Sequence, residues 1–93
     1  MKIRKRKNIV ARRIHGSYFL IDISDNYSGD TCAIYEINET GMFIWNNIDG
    51  NCNVEVLTNL LKSAIVDDVD YQVIYDDVNE FVGELVIRRF VEV

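Results

Sequence analysis

Along the first 37 residues apolar and polar positions tend to alternate, and from residue 38 onward they recur every three or four. In residues 8–14, Ile9, Ala11 and Arg13 share one face and Val10, Arg12 and Ile14 the other. His15, Gly16 and Ser17 signal a turn. Residues 18–23 (YFLIDI) are rich in the aromatic and β-branched side chains that suit a pleated strand. The polar run 24–30 (SDNYSGD) reads as a loop, and residues 31–37 as a third strand, with Thr31, Ala33, Tyr35 and Ile37 alternating against Cys32, Ile34 and Glu36. Three short strands in sequence suit an antiparallel meander, whose edges stay open unless something covers them.

The change of period falls at Asn38, which stops the strand and offers a side-chain oxygen to the free N–H groups of a helix start. Glu39 adds negative charge in the first turn, where the helix dipole favours it. Met42, Ile44, Trp45 and Ile48 form the apolar stripe, and Asp49-Gly50 is expected to close this helix, Gly supplying left-handed geometry. Asn53 is the expected cap of a second helix with Val54, Val56, Leu57, Leu60, Leu61 and Ile65 on its apolar side. After the acidic link IVDDVD, a third helix spans residues 71–87, carrying Ile74, Val78, Phe81, Val82 and Leu85 on one stripe. Arg88 and Arg89 follow at its C-terminal end, and residues 90–93 are a strand-like stub. The order is that of an α+β, winged-helix-like fold: a three-stranded antiparallel sheet followed by three helices.

Composition narrows the function classes. A chain of 93 residues that is 48% hydrophobic holds one core and one domain. No apolar run is long enough to span a bilayer or to act as a signal segment, so no membrane partner is expected and the expected location is cytoplasmic. Cys32 and Cys52 stand 20 positions apart with a single histidine, His15, which fits two buried thiols rather than a disulfide framework or a metal site. No Gly-rich phosphate loop is present, and the carboxylates form no paired constellation, so neither a cofactor nor catalysis is expected. The net charge of −5 hides a split: Lys2, Arg4, Lys5, Arg6, Lys7, Arg12 and Arg13 precede every acid, leaving three basic groups and all 15 acids for the rest. Residues 1–7 therefore read as a basic N-terminal arm before a domain at 8–93. It is either a solvated terminus or an arm for an acidic partner, and its removal should leave the domain intact.

The run INETG (residues 37–41) with Ile44-Trp45, then Asp49-Gly50, the second apolar helix and DDVNEFVGEL (residues 76–85), resembles the PqqD-like family, the pyrroloquinoline-quinone-biosynthesis D proteins and related precursor-peptide recognition elements. The likeness extends from about Val10 to Val91. Two features depart from the family pattern: the heavy basic arm, and Arg89-Phe90 where the family often ends its last helix with a glycine-hydrophobic pair. The resemblance implies a peptide-binding module without catalysis. Its partners would be the leader segment of a ribosomally made precursor and a modifying enzyme, such as a radical enzyme, a cyclase or a leader protease. The leader would add as a strand to the sheet edge, between the third strand and the third helix.

Carried onto this chain, that mode engages the strand residues Thr31, Cys32, Ala33, Ile34, Tyr35 and Glu36 and, on the third helix, Ile74, Asp77, Val78, Glu80, Phe81 and Glu84. Backbone groups of the edge would supply affinity and pockets for alternate side chains specificity. Asp77, Glu80 and Glu84 could meet Lys or Arg in a leader, or be a solvated acidic face. Tyr35 reads equally as a core aromatic with its hydroxyl at the rim. Two rival readings remain at this stage. A winged helix can bind DNA, here through the basic arm, although residues 53–87 hold one basic residue, Lys62, against eight acids, a poor surface for phosphate. A structural adaptor pairing through its edge strand is the other.

Overall fold

The computed structural model describes residues 2–23 and 34–93. A short strand β1 (Arg4–Lys5) leads into the hairpin β2 (Ile9–Ile14) and β3 (Ser17–Asp22), and then β4 (Ile34–Ile37) runs directly into the helices α1 (Glu39–Asn46), α2 (Val54–Ala64) and α3 (Tyr71–Ile87), before a last strand β5 (Val91–Glu92). The meander is antiparallel in the order β2-β3-β4, with Ala11 opposite Leu20 and Leu20 opposite Tyr35. His15 and Gly16 both have positive φ, 51° and 82°, as a two-residue turn between Ile14 and Ser17 requires to match the strand twist. The expected loop at 24–30 and the residues Thr31, Cys32 and Ala33 lie outside the described residues.

The alternation read from the sequence is the alternation of the sheet. Ile9, Ala11, Tyr18, Leu20, Tyr35 and Ile37 face the helices, with Leu20 and Ile37 buried, while Ile34 and Glu36 face away and are exposed. Asn38 caps α1, its Oδ1 accepting from Gly41 N at 2.8 Å, and Asn53 caps α2, accepting from Val56 N at 2.9 Å. Trp45, Ile44 and Ile48 anchor the joint between sheet and helices. Helix α3 presents Ile74, Val78, Val82 and Leu85 to the core. None of the helices among the described residues is long and apolar enough to cross a membrane.

Four expectations need correcting. Asp49-Gly50 does not close α1. That helix stops at Asn46, and Asn47 caps it with φ −99° and its Nδ2 donating to Phe43 O, while Gly50 takes its left-handed φ of 88° in the link beyond. On α2 the buried stripe is rotated: Val56 and Leu60 are exposed, and Thr58 is fully buried, its hydroxyl satisfied by Val54 O at 2.7 Å. A polar residue can take a core position in a helix when its hydroxyl bonds back to the preceding turn.

The third correction concerns residues 1–7, which charge alone presents as a loose arm. Ile3 is 1% exposed and its N–H donates to Cys52 O, β1 pairs antiparallel with β5, and Arg6 N donates to Phe90 O. Lys5 lays its ammonium 4.8 Å from the centroid of the Trp45 ring, and partial desolvation there lowers its pKa below the ordinary lysine value. One apolar residue among cations is enough to bind the segment into the core, and the tally of charges hides it. The fourth follows: the three-stranded meander is accompanied by a second, two-stranded sheet, β1-β5. Its last strand is reached through Arg89, at φ 63°, which lets Phe90 N bond Leu85 O and Arg89 N bond Val86 O. This is a helix-ending turn that Gly usually serves.

Candidate functional site

In the meander, β4 has β3 on one side only, so among the described residues its other edge carries unpaired backbone groups. Beside that edge lies a groove of about 550 Å³ between β4, the start of α1, the end of α2 and the length of α3. Its apolar floor comes from Ile44, Leu61, Ile65, Val69, Ile74 and Val78, its walls from Tyr35 and Phe81, and its rim from Asn38, Thr40, Asp77, Glu80 and Glu84.

Local sequence explains each wall. Because Asn38 ends β4 and caps α1 in one step, Thr40 in the first helical turn is carried to the groove mouth. Gly41 allows α1 to lie close to α3: a Cβ there would stand 3.1 Å from Ile37 Cβ and 3.2 Å from the Phe81 ring. The link between α2 and α3 is held by Lys62, whose ammonium donates to Val69 O at 2.7 Å, so that Ile65 and Val69 turn inward while the acids Asp67, Asp68 and Asp70 face water. At the opposite end Tyr35 stacks on Phe90, rings 6.1 Å apart, and the Arg88 guanidinium lies 4.1 Å from the Tyr35 ring centroid. Arg88 Nε also donates to Glu84 Oε1 at 2.8 Å.

The structure thus brings seven of the residues named from the sequence, Tyr35, Ile74, Asp77, Val78, Glu80, Phe81 and Glu84, to one groove. Ile34 and Glu36 belong to the same strand but point to its other face, so they can offer the edge only backbone. Tyr35 is half-buried, both packed on the core and exposed to the groove. Asn38, Thr40, Ile44, Leu61, Ile65 and Val69 were not anticipated there. The signal for Ile65 and Val69 was their spacing of four in the link IVDDVD; the third apolar residue there, Val66, is fully exposed.

The PqqD family, described as coenzyme PQQ synthesis protein D, matches residues 27–91. The chain belongs to the PqqD family. Two solved structures are similar in fold to this PqqD-family chain. One, described as lasso peptide synthetase B1 complexed with the leader peptide, has a TM-score of 0.75 at 16% identity and covers 100% of both chains. The other, TbiB1 in complex with the TbiA(beta) leader peptide, has a TM-score of 0.73 at 15% identity, covering 96% of this chain and 94% of its own. No curated protein matches the chain. The N-terminal strand β1 and the first two strands of the meander lie before the matched residues, so the family signature rests on β4, the helices and the start of β5.

Proposed function

We propose that this PqqD-family chain binds the leader segment of a ribosomally made precursor peptide and delivers it to a modifying enzyme, without catalysis of its own. The observation that carries the reading is the open β4 edge running beside an apolar-floored groove. An extended peptide gains backbone hydrogen bonds from such an edge, and every second side chain points toward the groove. Support comes also from the two structural relatives, each of which is described as holding a leader peptide. The peptide adds antiparallel to β4, the slightly more stable pairing. In this proposal Ile34, Tyr35 and Glu36 offer the edge, and Ile74, Asp77, Val78, Glu80, Phe81 and Glu84 form the facing wall. A protein that meets newly made peptides works in the cytoplasm.

Ordering a flexible leader offsets much of its contact energy, so the dissociation constant should fall on the order of nanomolar to micromolar. Fluorescence anisotropy with a labelled precursor and with its leader-less core tests the reading. Binding of the first alone is expected, and equal binding of both, or of neither, overturns it. Thr40→Arg places a long side chain over the groove mouth from an exposed position, beside the acids Asp77 and Glu80, and should weaken binding at least tenfold with the fold retained, because it fills the space the peptide's side chains must enter. Normal binding by folded Thr40→Arg would move the site elsewhere.

A further inference from the structure

The groove carries an order of charge along its length. Of the three acids on its α3 wall, Glu84 is already neutralised by Arg88. Asp77 and Glu80 are exposed and have no ion-pair partner among the described residues. Arg88 uses only Nε in its bond to Glu84, so its two terminal NH2 groups have no hydrogen-bond partner among the described residues, and Arg89 adds a second exposed cation beside it. One end of the groove therefore carries two uncompensated acids, and past the other end the Glu84–Arg88 pair keeps free guanidinium donors next to exposed Arg89.

Contacts fix which end of the strand meets which charge. Tyr35 lies under Arg88 and against Phe90, whereas Ile37 and Gly41 pack at Phe81. Strand β4 thus runs opposite to α3, with its Ile37 end toward Asp77 and Glu80 and its Tyr35 end toward Arg88. An antiparallel peptide enters with its N-terminal side at the Ile37 end and leaves past Arg88.

We propose that the groove selects peptides in which a Lys or Arg stands four residues before an Asp or Glu, with an apolar residue midway; this rests on the leader-binding reading above. From the midpoint of Asp77 and Glu80 to Arg88 is about 14 Å along the helix axis at 1.5 Å per residue. An extended peptide covers that distance in about four residues, at about 3.4 Å each. Positions i, i+2 and i+4 of a strand project to the same side. A cation at i meets Asp77 and Glu80, an apolar residue at i+2 meets Phe81 and Tyr35, and an anion at i+4 meets the free donors of Arg88. A peptide with the charges in the reverse order sets an anion against Asp77 and Glu80 and a cation against the Arg88 donors, which have no lone pair to offer it.

The test is selection of a displayed library of random peptides on the immobilised full chain, followed by anisotropy with the enriched sequence and with its two charges exchanged. Enriched peptides should carry the cation-apolar-anion order, and exchanging the charges should weaken binding roughly threefold to tenfold, the scale of one exposed ion pair turned repulsive and one charge-assisted hydrogen bond lost. The double variant Asp77→Lys, Glu80→Lys, shown to keep its thermal transition, should lose the preference for a cation. Enriched peptides that bind but show no ordered charges, or that bind equally after the exchange, overturn this inference and leave the leader-binding reading standing. No enrichment over blank resin overturns both.

Discussion

Replacing Ile3 by Ala tests whether the N-terminal segment is part of the core or only its neighbour. Ile3 is 1% exposed and packed in the single hydrophobic cluster with Trp45, Cys52, Val82 and Val91. Ile→Ala in a packed core costs about 2–5 kcal/mol, the upper end belonging to sites whose surroundings cannot close on the cavity. Ile3 precedes a two-residue strand whose backbone can shift, so about 2–3 kcal/mol is expected here. Against a total stability of about 5–15 kcal/mol for a domain, that loss is large. At about 4–8 °C per kcal/mol for a chain of this size, Tm should fall by roughly 10–20 °C.

The assay is built into the protein: Trp45 is the sole tryptophan and is buried, so its emission reports global unfolding in urea or on heating. Lys7→Ala, an exposed change in the same segment, is the control and should move Tm by no more than about 2 °C. Equal shifts for the two variants would refute the reasoning and return residues 1–7 to the status of a loose arm. Deleting those residues should cost at least as much as Ile3→Ala, since it also leaves Cys52 O and Phe90 O without their partners and removes Lys5 from the Trp45 ring. The deletion is therefore a stability experiment, where charge reasoning expects the domain to stay intact.

Asn38→Ala removes the acceptor that satisfies Gly41 N and should cost about 1 kcal/mol in denaturant midpoint, with no change in the slope. Gly41→Val drives a branched side chain into Ile37 and the Phe81 ring and should cost about 2 kcal/mol or more, while shifting the groove wall enough to weaken peptide binding; a silent substitution would mean that α1 does not sit so close to α3. Arg89→Gly should raise stability by about 1 kcal/mol, because Arg89 holds a left-handed φ of 63° that costs a side-chain-bearing residue about that much, and a loss of stability would show that the Arg89 side chain matters more than its backbone.

Much of this fold was legible because the decisive signals are local. Asn38 and Asn53 are caps wherever they are met before an apolar helical stripe, and the 17-residue span of α3 follows from the spacing of Ile74, Val78, Val82 and Leu85. The elements that escaped are those whose reason is distant in sequence. The strand-like stub at residues 90–93 holds β5, but its partner β1 escaped: the two strands have two residues each, show no period, and each is held by the other. The helix-ending role given to Gly50 failed for a related reason: Asn47 caps α1 earlier with its own side chain, and the later Gly serves the link, where its would-be Cβ faces Arg4. Val56 and Leu60 were counted as core because hydropathy cannot see which side of α2 meets α3.

The site was legible to the extent that one strand and one helix define it. Tyr35 and the i, i+3, i+4 series from Ile74 to Glu84 share a groove because a strand face and a helix stripe keep their phase once the two elements pack. Sequence periodicity could not say where along α3 each strand residue falls, and that offset decides the chemistry. Tyr35 shares the groove with Ile74, Val78 and Phe81, but its own ring contacts are with Arg88 and Phe90, more than one helical turn beyond Phe81. The apolar floor is shared between Leu61, Ile65 and Val69 from α2 and its link and Ile44, Ile74 and Val78 from α1 and α3. Glu84 pairs with Arg88 four residues on, a contact set by the helix itself, so the acidic stripe is two uncompensated acids followed by an ion pair. A reader counting charges on α3 would expect a leader that is simply basic. The charge order proposed for the groove asks for a leader with a direction.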